Sequence, residues 1–72
     1  MNPIVKMYHY YLAYDCDADT IWDEAQQYGC NLTFGAIGRA TISMWENNPY
    51  NSLFILKYNK DFIATKSEEW YI

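Results

Sequence analysis

Five carboxylates and no base fall between positions 15 and 24: Asp15, Asp17, Asp19, Asp23 and Glu24. The rest of the chain nearly balances, so this stretch accounts for the net charge of -4. Its opening, Asp15-Cys16-Asp17-Ala18-Asp19, has the D-x-D-x-D order in which alternate carboxylates converge on a hard cation. The remainder of a calcium loop is missing. The sixth position, where a sharp turn needs glycine, is Thr20, and the twelfth, where a bidentate glutamate closes the site, is Gln26. No metal and no cofactor are therefore expected. The same Asp-x-Asp after an apolar strand also opens phosphatases with an aspartyl nucleophile, but that reaction needs a separate lysine, further acids and a large scaffold.

The lone histidine, His9, stands between Tyr8 and Tyr10. Catalysis would require a nucleophile or an orienting carboxylate against it. Cys16 and Cys30 are the candidate nucleophiles, yet their spacing offers no support, and a structural or interface histidine is the expected role. Gly35-Ala36-Ile37-Gly38 followed by Arg39 has the G-x-x-G spacing of a single-strand nucleic-acid clamp. Its flanks read as strands rather than helices, so the glycines are expected to serve a tight or bulged connection. The protein is not expected to be an enzyme.

The chain has 72 residues, read as one domain over residues 1–72, near the lower size at which one core suffices. Eight Tyr, three Trp and three Phe are many for this length. Such rings fill a small core and also anchor contact surfaces, so both uses are expected. With a pI of about 4.6 and scattered bases, direct nucleic-acid binding is disfavoured. No leader pattern and no membrane-length apolar run occur, which predicts a cytoplasmic protein without membrane contact. There Cys16 and Cys30 are expected to stay reduced.

Positioning falls to the elements around these residues. Residues 4–14 read as a strand with Ile4, Tyr8, Tyr10, Leu12 and Tyr14 on one face and Val5, Met7, Tyr11 and Ala13 on the other. Apolar residues on both faces predict a strand covered twice, or one whose second face meets a partner. Asp17 or Asp19 then caps a helix ending near Tyr28 and stopped by Gly29, with Ile21, Ala25 and Tyr28 on its inner face. Strands follow at residues 31–34, 39–46, 53–58 and 62–65, and residues 67–72 form a helical turn or a further extended piece. Residues 47–51, containing Pro49, read as a turn. The expected fold is α+β: one helix on a mostly antiparallel sheet of three to five strands, in the order β-α-β-β-β.

Two roles remain for the acidic run. It caps a helix and solvates its face, or it forms a protein-binding surface of Asp15, Asp17, Asp19, Asp23 and Glu24 flanked by Tyr14 and Trp22. The expected function is a small acidic module that binds a basic surface of another protein. Its most specific form is a nucleic-acid mimic from a phage or mobile element that inhibits a nucleic-acid-handling enzyme or defence complex. The alternatives are a subunit of a larger assembly or a homodimer, and a single-strand binder using a tyrosine-rich sheet. If the acids serve capping alone, the interface falls to Trp45, Tyr50, Trp70 and Tyr71.

Overall fold

The computed structural model describes residues 4–34 and 40–71. Their elements run β1 (Ile4–Leu12), α1 (Ala18–Gln26), β2 (Asn31–Phe34), β3 (Ala40–Trp45), α2 (Tyr50–Tyr58) and β4 (Phe62–Tyr71). The strands form one sheet in the order β2-β3-β1-β4, with every neighbouring pair antiparallel. Each helix therefore carries the chain across an intervening strand: α1 links β1 to β2 past β3, and α2 links β3 to β4 past β1. This is the split β-α-β connectivity of ferredoxin-like folds. The α+β class and the antiparallel sheet are as the sequence predicts. The Gly35–Gly38 turn and the expected strand start at Arg39 lie outside the described residues.

Helix α1 begins where the sequence places it. The Asp17 carboxylate accepts the Thr20 amide at 3.2 Å and the Thr20 hydroxyl at 2.7 Å, which satisfies donors left free at the helix start. Ile21 and Ala25, four apart, are buried against the sheet. The last turn closes when the Gly29 amide reaches the Gln26 carbonyl and the Cys30 amide reaches that of Ala25. Gly29 takes φ 81°, a left-handed value that glycine adopts without steric cost.

Residues 53–58 are not a strand. They belong to α2, so the order is β-α-β-β-α-β and the sheet carries two helices. Asn48 starts this helix: its side-chain oxygen accepts the Tyr50 amide at 2.9 Å, and its carbonyl accepts the Asn51 amide at 2.9 Å. Pro49, already helical at φ -61° and ψ -21°, sits where a missing N–H costs nothing. The Asn48 amide nitrogen also donates to the Tyr28 carbonyl at 2.8 Å, joining the end of α1 to the start of α2.

Both helices cover the sheet face that carries Tyr10, Leu12, Ile42 and Met44. With Ile21, Ala25, Cys30, Tyr50 and Phe54 these residues form the core. The Phe54 ring lies 4.9 Å from Tyr10, 5.3 Å from Tyr58 and 5.9 Å from Phe62, and the Tyr10 hydroxyl donates to Asn51 on α2. Val5, Met7, His9 and Tyr11 point to the opposite face, as do Thr41, Ser43 and Trp45 by register. No helix of the described residues is long and apolar enough to cross a membrane.

Candidate functional site

The acidic run is divided by the fold. Asp17 is engaged with Thr20 at the cap, and Glu24 turns toward α2, where its carboxylate receives the Lys57 ammonium at 2.9 and 3.0 Å and the Tyr58 hydroxyl. Trp22 is half-buried against the core. Asp15, Asp19 and Asp23 remain exposed, with Tyr14 beside them at 70% exposure. Asp19 and Asp23 lie one turn apart on α1 and so share a side of the helix. Asp17 is exposed too, so four carboxylates, one of them engaged at the cap, and one ring face outward at the end of the sheet where β1 finishes. Among the described residues no three His, Cys, Asp or Glu side chains converge as ligands for a metal.

Glu24 is held below the usual carboxylate range, chiefly by the Tyr58 hydroxyl and then by Lys57. A lowered carboxyl supports the fold above its unfolded pKa, about 4.3, and that support disappears as pH falls through the folded value. Glu24→Gln is therefore expected to lower the urea midpoint at pH 7, with the gap from wild type narrowing as pH falls below about 4. Equal midpoints at pH 7 would show that the link between α1 and α2 adds nothing.

His9 stands on the helix-free face between two strands. Its Nδ1 is 2.6 Å from the Ser43 hydroxyl on β3, and its Nε2 is 2.9 Å from the Glu68 carboxylate on β4. The contact with Glu68 is close but not aligned as a hydrogen bond. The residue ties three strands together. Neither cysteine is its partner. Cys30 is buried in the core beneath the helices and Cys16 packs against that core. Burial raises both thiols, Cys30 to about 11.

A second candidate site lies at the other end of the sheet. Val5, Trp45, Asn47, Trp70 and Tyr71 line an open cleft of about 410 Å³. Trp45 faces Met7 across one side of β1 and Trp70 faces Val5 across the other, so β1 brings together two indoles far apart in sequence. Their rings meet edge to face at 6.1 Å, and 41% of Trp45 and 49% of Trp70 stay exposed. Of the four fallback aromatics, Trp45, Trp70 and Tyr71 belong to this cleft. Tyr50 does not: it is buried on α2 and stacks on Tyr28 at 4.2 Å. The sequence signals alternation at Trp45 but nothing of its pairing with Trp70, which requires both neighbours of β1 to be known.

Comparisons with protein-family models, with curated proteins and with solved structures find nothing that matches this chain.

Proposed function

We propose that the protein is a small non-enzymatic module that binds another protein through the cleft of Val5, Trp45, Trp70 and Tyr71. The observation that carries this reading is the cleft itself: two half-exposed indoles and a tyrosine around an apolar floor, the residue types that dominate contact energies. Asp15, Asp19 and Asp23 supply a negative field that speeds encounter with a basic surface. The two sites are separated by the length of β1 from Val5 to Leu12, roughly 23 Å at about 3.3 Å per residue. A partner that used both would span the molecule. Two unbridged thiols fit work in the cytoplasm. An inhibitor seated in a nucleic-acid groove is the narrower form, in which those three carboxylates take the place of phosphates.

A specific observation also favours a second reading: Tyr11, Trp45 and Trp70 share the helix-free face of a four-stranded sheet, the arrangement on which unpaired bases stack. It competes poorly because the whole chain carries -4.

The test is affinity capture with three baits, followed by reconstitution with the purified partner. The baits are the wild type, a Trp45→Ala/Trp70→Ala variant and an Asp15→Asn/Asp19→Asn/Asp23→Asn variant. The indole variant is expected to lose at least about tenfold in affinity. The acid variant should associate more slowly, by a margin that shrinks with salt. An indole variant that binds like wild type removes the cleft from the interface, and salt-sensitive binding to oligo(dT) by wild type would install the second reading.

A further inference from the structure

Strand β4 is the long edge of the sheet: among the described residues its ten residues pair with β1 alone, and all but Phe62 are exposed. Such an edge presents a row of free amides and carbonyls to any strand that can match it. We propose that its match is β4 of a second copy, joined antiparallel about a two-fold axis through Ser67 to give one continuous eight-stranded sheet. The proposal is independent of the cleft's role.

Charge selects both the occupant and the register. In a symmetric antiparallel pair, opposite residues lie on the same side of the sheet, so the two-fold must pass through a residue rather than between two. Centring on Lys66 sets it against itself. Centring on Glu68 sets two carboxylates face to face. Centring on Ser67 places Lys66 opposite Glu68 twice, Thr65 opposite Glu69 and Ala64 opposite Trp70. Opposite charges directly across a pair stabilise it, and like charges destabilise it. The β1–β4 ladder breaks register between Tyr11 and Leu12, opposite Ala64 and Phe62. The regular part of β4 therefore covers residues 64–71, and Ser67 is at its middle. The other edge, β2, has four residues and offers a much shorter ladder.

In this assembly Glu68 lies between His9 of its own protomer, already 2.9 Å away, and the partner's Lys66. There the partner's Lys66 adds a cation on the side of Glu68 away from β1. The helices of both copies fall on the same side of the joined sheet, and the opposite side becomes a continuous face bearing two copies of Trp45 and Trp70.

The test is the mass of the purified full chain in solution, by light scattering and sedimentation over a wide concentration range. Wild type is expected to be dimeric. Lys66→Glu and Glu68→Lys should each raise the dissociation constant at least about tenfold, because each puts like charges opposite one another. An equimolar mixture of the two variants should regain the dimer. One chain then brings carboxylates at both positions and the other brings ammoniums at both, so every pair across the axis is again of opposite charge. A monomeric wild type, single variants that dimerise normally, or a mixture that stays monomeric would each overturn the proposal. Should Glu68→Lys fail to fold, Ser67→Cys tests the same axis. Facing Cα atoms in an antiparallel pair are about 4.5–5.5 Å apart, within disulfide range, so mild oxidation should cross-link this variant and not wild type. Absence of that cross-link equally overturns the register.

Discussion

Phe54→Ala should lower the unfolding free energy by about 3–5 kcal/mol, through lost transfer and the cavity left behind. Phe54 is fully buried, and its ring is within 6 Å of those of Tyr10, Tyr50, Tyr58 and Phe62. Removing it empties the centre of the aromatic cluster that joins α2 to the sheet. A chain of this size holds only about 4–10 kcal/mol in total, so the variant is expected to be partly unfolded at 25 °C. Leu56→Ala is the control. Two positions along the same helix, Leu56 is 78% exposed, and its truncation should change the urea midpoint very little. If the two variants lose similar amounts, α2 does not turn Phe54 inward and Leu56 outward.

Alkali should unfold the domain as one cooperative event well before ordinary tyrosines would finish titrating. Burial pushes Tyr10 up to about 12, helped by the neighbouring Tyr8, and pushes Cys30 up to about 11. Tyr50 moves upward as well, first through burial and then through the Glu24 charge. Each of these acids is neutral when folded and ionises more easily in the unfolded chain, at about 8.5 for cysteine and 10 for tyrosine. Their support is complete below those unfolded values and is lost as pH climbs from them toward the folded ones. The support from these groups should therefore hold up to about pH 8, then fall steeply. The readout is tyrosinate absorbance recorded with circular dichroism. Coincident steps are expected. All tyrosines ionising near pH 10 with the dichroism unchanged would contradict the burial of Tyr10 and Tyr50.

The halves of this fold differ in how plainly the sequence announces them. Helix α1 is legible because each of its signals acts locally: Asp17 bonds to a residue three away, Ile21 and Ala25 keep helical spacing, and Gly29 supplies the one positive φ among the described residues. Strands β2 and β3 are legible from alternation and bounding polar residues. Helix α2 is not, because its outward side carries Leu53, Ile55 and Leu56 while its inward side carries Tyr50 and Phe54. With apolar residues on both sides and only Ser52 and Lys57 to mark a wet face, no helical period stands out, and residues 53–58 fit a strand equally well. A local signal was nonetheless present: Asn48 followed by Pro49 is a cap followed by a proline at the first helical position. For the candidate site, the acids were visible as a charge run, but the engagement of Glu24 with Lys57 and Tyr58 spans thirty-three and thirty-four positions. The cleft was invisible for the same reason, since Trp45 and Trp70 meet only across β1.

The placement of β1 between β3 and β4 also governs how the chain can reach its final form. β1 is made before β3, and its other neighbour, β4, follows every other described element, with Ile4 paired to Tyr71. On the ribosome, the nascent protein must carry its central strand with an open side until β4 has emerged. Contacts between such distant positions return nothing until a large loop has been closed, which makes folding slow for so short a chain. An interrupted translation product would expose Tyr8, Tyr10 and Tyr11 along an unpaired edge, a surface suited to chaperone capture or aggregation.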